Sequence, residues 1–145
     1  MSYGSVVLSQ TEAAFVRRER VARLATADAR GRPHVVPVCF VFHDGSFWVA
    51  IDEKPKRTLR LKRLRNIAEN PRVALLIDRY DDDWNRLAYV LVEGEASLAA
   101  GSLQPGVLSA LRERYPQYRE MRLEERPLVR VRPEKVVSWG ALEGA

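Results

Sequence analysis

Five polar side chains crowd the point where an apolar run gives way to a helical pattern. Lys54, Lys56, Arg57, Thr58 and Arg60 follow FWVAID at Phe47–Asp52 and lead into LKRLRNIAEN at Leu61–Asn70. A helix start carries unpaired backbone N–H groups and the positive end of the macrodipole, so it suits an anion before any side chain is added. Lys54, Lys56, Arg57 and Thr58, placed there, read as a phosphate site. Arg63 and Arg65 lie a turn or more inside the helix and are assigned to its solvated face, the ordinary place for a charge run.

Few other residues offer chemistry. Cys39 sits inside VVPVCFVF and is expected as buried strand filler, since a reactive thiolate needs an electropositive, exposed setting. His34 and His43 flank the same strand without metal-ligand spacing to another His or Cys, so both are assigned to strand-end surface and no metal site is expected. No catalytic triad is visible. Asp81–Asp83 reads as a solvated turn. Trp84, in that acidic loop, has two readings: a stacking clamp for an aromatic ligand, or packing across a subunit interface. Trp48 and Trp139 fall within strand patterns and are expected in the core.

The elements that must carry these residues follow from pattern. Ser9-Gln10-Thr11-Glu12 is a capping box opening a short helix. Val21–Asp28 is a first strand, Ala29-Arg30-Gly31 turn chemistry, and His34–His43 a second strand. Asp44-Gly45 is a hairpin signal, and Phe47–Asp52 returns as a third strand. The second strand is apolar at both parities, so it should be covered on both sides, one face filling a barrel and the other meeting a second subunit. Pro37 cannot donate to a ladder and marks a bulge or edge. Leu61, Leu64, Ile67 and Ala68 form an apolar helical stripe. Arg72–Tyr80 and Leu87–Leu98, bent at Gly94, are strands four and five. A helix runs from Val107 to Tyr115, and Leu128–Trp139, bulged at Pro133, is strand six. These elements predict an α+β, mainly β fold: a six-stranded antiparallel barrel with short helices, one domain over 1–145.

Composition sets bounds. The 145 residues hold 24 Lys and Arg against 19 acids, a net charge of +5 that fits an anionic partner without choosing one. Lys54–Arg65 lacks the interleaved aromatics of single-strand binders, so nucleic acid is not expected. One cysteine, no leader pattern and no apolar run of membrane-spanning length predict a cytoplasmic protein without a membrane partner.

The succession VARLATADARGRPHVVPVCF, HDGSFWV, the basic segment, NPRVALL and VEGEA resembles the pyridoxamine 5′-phosphate oxidase-like proteins. These are split β-barrels of the FMN-binding type. The run KPKRTLRLKRLRNIAENPRVALLIDRYDDDWNRL is similar to the subgroup of F420-dependent oxidoreductases. The resemblance spans roughly Thr11 to Ala96 and, weakly, the last strand. It implies a homodimer with a flavin or deazaflavin in a cleft at the subunit interface, and hydride transfer between coenzyme F420 and a small conjugated substrate. FMN is the alternative cofactor, and binding without turnover the alternative role. It also implies that Val36, Pro37 and Val38 contact the ring, that Ile51 and Asp52 sit at the strand end, and that Lys54, Lys56, Arg57 and Thr58 hold the phosphate. Trp84 and Asn85 would reach the cofactor of the partner subunit. The substrate-phosphate signature of true pyridoxamine phosphate oxidases is missing, which speaks against vitamin B6 oxidation.

Overall fold

Ser9 closes the capping box of α1 (Gln10–Arg18) as its sequence predicts. Its hydroxyl accepts from the Glu12 N–H at 3.0 Å, and its own N–H donates to the Glu12 carboxylate at 2.9 Å. This satisfies two of the donors that a helix start leaves open. Phe15 and Val16 then enter the core, and Arg17 and Arg18 occupy the last turn. The computed structural model describes residues 6–51 and 61–144. Asp52, Lys54, Lys56, Arg57, Thr58 and Arg60 lie outside the described residues.

Seven antiparallel strands follow: β1 (Ala22–Ala27), β2 (Pro33–Val38), β3 (Phe40–His43), β4 (Ser46–Ala50), β5 (Arg72–Arg79), β6 (Ala88–Ala100) and β7 (Pro127–Gly140). Their order is β2-β1-β5-β6-β7-β4-β3. The two outermost strands are consecutive pieces of one chain segment. Val38 pairs with Ala22 of β1, and Phe40, two residues on, pairs with Val49 of β4. The sheet therefore closes through the segment that turns from one neighbour to the other at Cys39. The expected second strand is split there, which turns six strands into seven. Pro37 sits just before the switch, where its missing N–H removes a ladder donor.

The expected hairpin between strands two and three forms at Asp44 and Gly45, both at positive φ (52° and 77°), as a two-residue turn of this type requires. β6 and β7 shift register between Glu93 and Gly94, and Gly94 pairs with Pro133. One bulge thus accounts for both irregularities expected from the sequence.

Inside the barrel Leu24, Phe40, Phe47, Leu75, Ile77 and Val92 are fully buried. Each such side chain contributes about 1.5–3 kcal/mol on removal from water. A second cluster forms where α3 (Pro105–Arg114) covers the outer side of β3 and β4, with Trp48, Ala50, Leu108, Leu111 and Tyr115 packed together. Trp48 is core as expected. Trp139 is not: it is 53% exposed on the outer sheet face, stacked on Tyr89 with ring centroids 5.9 Å apart. Near the end of β7 the strand alternation turns residue 139 outward, opposite Tyr89 in register. The outer face of the second strand is also open, Val35 being 62% exposed within the single chain.

Candidate functional site

The helix after the basic segment, α2 (Lys62–Glu69), is fastened to β1 and the turn that follows it by one polar face. Lys62 Nζ lies 3.8 Å from the Asp28 carboxylate, Asn66 Nδ2 donates to Thr26 Oγ1 at 3.0 Å, and the Ala29 N–H donates to Glu69 Oε1 at 3.1 Å. Residues four and three apart share a helix face, so all three contacts come from one side. Leu64 and Ile67 enter the barrel core. The expected apolar stripe is altered at its end: Ala68 is exposed and Asn66 is buried in its place. A buried amide needs a partner, which Thr26 supplies on one side.

Asp28 is the anchor of this arrangement. Its Oδ1 accepts from the Arg30 and Arg32 N–H groups at 2.9 and 3.0 Å, and its Oδ2 takes Arg32 Nε at 2.6 Å. The backbone bond from Arg32, then its side chain, hold the Asp28 pKa down at about 2. Hydrogen bonds to the charged form favour ionisation.

That fastening places Arg63 on the wall of a cleft of about 370 Å³, whose floor is the strand switch itself. Val36, Pro37, Val38 and Cys39 line it along the chain, with Ala50 at the end of β4 and Tyr118 from the 3-10 turn after α3. Ala50 is small, so the end of β4 leaves room there. A cleft of this size and mainly apolar lining, with a few polar groups, is the usual form of a small-molecule site.

The structure brings together three of the residues expected at a ring, Val36, Pro37 and Val38. Ile51 follows β4 next to Ala50, but its side chain is fully buried and its carbonyl accepts from Arg126 Nη1 at 3.3 Å. It is not among the residues that line the cleft. Trp84 and Asn85 form a 3-10 turn between β5 and β6, with Trp84 72% exposed, and neither lines the cleft.

Two sequence assignments are corrected here. Arg63, placed on the solvated helix face, lines the cleft, because the anchored face of α2 is polar and turns Arg63 toward the strand switch. Helical periodicity of apolar residues could not show this, since the anchoring face carries Lys62, Asn66 and Glu69. Cys39, expected as buried filler, is half-buried and lines the cleft, because it falls between two ladders. His34 and His43 are half-buried as well, and His43 Nε2 lies 3.3 Å from Asp44. Among the described residues no three His, Cys, Asp or Glu side chains converge as metal ligands. No described helix is long and apolar enough to cross a membrane.

Comparison with known proteins adds to this geometry. The family model described as "Pyridoxamine 5′-phosphate oxidase" matches residues 8–140. A 5a,11a-dehydrotetracycline/5a,11a-dehydrooxytetracycline reductase from Streptomyces rimosus is 30% identical over 138 residues, covering 94% of this chain and 84% of the relative. Among solved structures, an F420 reductase aligns with a TM-score of 0.68 at 21% identity, over 90% of this chain and 98% of its own. The heme storage protein of Vibrio cholerae aligns with a TM-score of 0.69 at 21% identity, over 93% and 91%. At such identities the two structures share the fold with this chain, and the fold alone does not select a function.

Proposed function

The chain belongs to the pyridoxamine 5′-phosphate oxidase family, and on that premise we propose that it is a reductase acting on small conjugated molecules with coenzyme F420, FMN being the alternative cofactor. The observation that carries this reading is the cleft at the strand switch. Its apolar floor, Val36 to Val38, leads by way of Ala50 to the end of β4, from which the basic segment continues in sequence. A flat ring with an anionic tail asks for an apolar floor and for cations such as those that follow β4 in sequence. The name of the Streptomyces relative supports a reductase whose substrate is a conjugated polycyclic molecule.

The apolar lining of the described cleft suits the ring of such a group. Val36, Pro37 and Val38 would hold the ring, Arg63 would face its polar edge, and Lys54, Lys56, Arg57 and Thr58 would hold the phosphate. Ile51 and Asp52 would mark the strand end between the two. The bound cofactor supplies the hydride, and the chain binds, orients and excludes water. Reduction of a double bond also consumes one proton. The protic side chains lining the described part of the cleft are Cys39, Arg63 and Tyr118.

The same reading includes a homodimer. On the outer sheet face one register row runs Pro37–Arg23–Leu76–Leu91–Val137, with the Tyr89–Trp139 pair beside it. Val137 is exposed in that row, and Val35 and Trp139 are exposed in the rows on either side of it. A second copy of the chain covers this face, and Trp84 and Asn85 then reach the partner's cofactor. The protein works in the cytoplasm as a single split-barrel domain over 1–145.

Mixing the purified protein with F420 and following the cofactor's fluorescence tests the cofactor assignment. Quenching at micromolar concentrations is expected, an affinity of about 8 kcal/mol. A yellow protein with a flavin spectrum and no response to F420 would move the assignment to FMN. Binding without consumption of reduced cofactor against a panel of conjugated substrates would leave a carrier rather than a reductase.

A further inference from the structure

A second cleft, of about 560 Å³, opens between the C-terminal end of α1, strand β3 and α3. Val41, Phe42 and Ala110 give it apolar surface, and Arg17, Arg18, Arg20 and Arg114 line it together with His43 and one carboxylate, Glu113. A ridge separates it from the strand-switch cleft: Tyr115 Oη donates to the Arg20 carbonyl at 2.8 Å, Arg20 faces one cleft and Val21 the other.

Part of this cationic cluster is structural. A helix end leaves open carbonyls and a negative dipole, which basic side chains answer. Arg114 does this for α1: Nη1 donates to the Arg17 carbonyl at 2.5 Å, Nη2 to that of Glu19, and Nε to Tyr115 Oη at 2.9 Å. Arg18 donates to the Leu142 carbonyl. Arg20 Nη1 donates to the Arg114 carbonyl at 2.7 Å. Arg17 lies over the Phe42 ring, its Cζ 5.2 Å from the centroid.

These bonds settle geometry but not charge. Carbonyl partners leave a guanidinium cationic, and each guanidinium has five N–H donors. Among the described residues none of these four arginines pairs with a carboxylate. Elsewhere Arg23, Arg32, Arg72, Arg112 and Arg132 each do. Surplus positive charge is therefore gathered beside an apolar surface, and an aromatic ring already stacked by Arg17 forms part of that surface.

We propose that this cleft is a second binding site, selective for a planar organic anion such as an aromatic carboxylate. The ring of the ligand rests on Val41 and Ala110, beside the Phe42 ring that Arg17 covers, and its carboxylate takes N–H donors from Arg17 and Arg20 in a planar, charge-assisted fork. The site is independent of the cofactor reading, because it shares no lining residue with the strand-switch cleft.

Naphthoate is the probe, titrated against the full chain by its fluorescence, with the uncharged naphthamide as control. One saturable site per chain is expected, with naphthamide bound roughly tenfold or more weakly, the loss of one charge-assisted contact. Arg17→Ala with Arg20→Ala should weaken naphthoate at least roughly tenfold by the same reasoning. Because Arg20 also bonds Arg114, Ala110→Phe serves as a second variant that fills the cleft and leaves the arginines in place; it should abolish binding while the melting temperature stays high. Equal affinity for naphthamide, no saturable binding, or naphthoate affinity unchanged in both variants overturns the proposal. So does loss of naphthoate binding in Arg63→Ala alone, which would locate the anion in the other cleft.

Discussion

Gly94 lies directly against the backbone of Arg132: a Cβ at position 94 would stand 2.1 Å from the Arg132 carbonyl oxygen. The close approach arises at the bulge where β6 and β7 shift register, and only a residue without a side chain lets the two backbones meet there. Gly94→Ala must push β7 away from β6, the longest strand pair in the barrel. We expect a loss of about 1–3 kcal/mol, the usual cost of forcing atoms into a packed region. Urea unfolding measures it; an unchanged midpoint would show that the bulge can open freely.

Acid should weaken the turn that Asp28 holds after β1. Asp28, held at about 2 by the Arg32 backbone bond and then the Arg32 side chain, has its pKa lowered from 3.8 on folding. The sign follows: the stabilisation is complete above the unfolded value and is lost as pH falls from roughly 4 toward 2. Glu124, held at about 2 first by its hydrogen bonds from Arg112, at 2.8 and 2.9 Å, loses its contribution over the same window. Asp28→Asn should therefore flatten the stability profile of the wild type between pH 4 and pH 2. A titration monitored by circular dichroism at several pH values shows whether the two curves converge on the acid side; parallel curves would remove Asp28 from the account.

How much of this was legible in the sequence depends on what kind of contact wrote it. The capping box at Ser9 and Glu12, the Asp44-Gly45 turn and the Gly94 and Pro133 irregularity are local, and each is readable because backbone conformation restricts residue type. The closure through Cys39 is not local. It depends on which neighbour each half of one apolar strand chooses, and both halves carry the same pattern. Arg63 was misplaced for a related reason. Helical periodicity seeks apolar stripes, whereas α2 is oriented by Lys62, Asn66 and Glu69 reaching Asp28, Thr26 and Ala29. Trp139 reads as core in the sequence because its aromatic character and strand position match a core residue; only the register opposite Tyr89 turns it outward.

The outward face bears on assembly. Val35, Val137 and Trp139 expose apolar surface in three neighbouring rows of one sheet face, which a monomer gains nothing by presenting to water. Trp139→Glu places a charge within the proposed interface, where an unpaired charge is costly to bury. Light scattering after size exclusion should give a dimer for the wild type and a monomer for the variant at micromolar concentration. A monomeric wild type would remove the second copy, and with it the shared role of Trp84 and Asn85.

The cofactor reading makes separable demands on two groups of cations. Arg63 is fixed at the cleft wall by the fastening of α2, and Lys56 and Arg57 precede that helix in sequence. Arg63→Ala should weaken F420 roughly tenfold, the loss of one charge-assisted contact. Lys56→Ala with Arg57→Ala should weaken it roughly tenfold or more by the same reasoning, while thermal stability of the apo-protein stays nearly constant. If Arg63 alone mattered, the anion would lie against the strand switch itself, and the phosphate would have to be reassigned to α2. If only the pair mattered, Arg63 would serve the ring edge or the substrate rather than the tail. Fluorescence titration of the three proteins with F420 distinguishes these arrangements, and full affinity in both variants would leave the cleft without its anionic ligand.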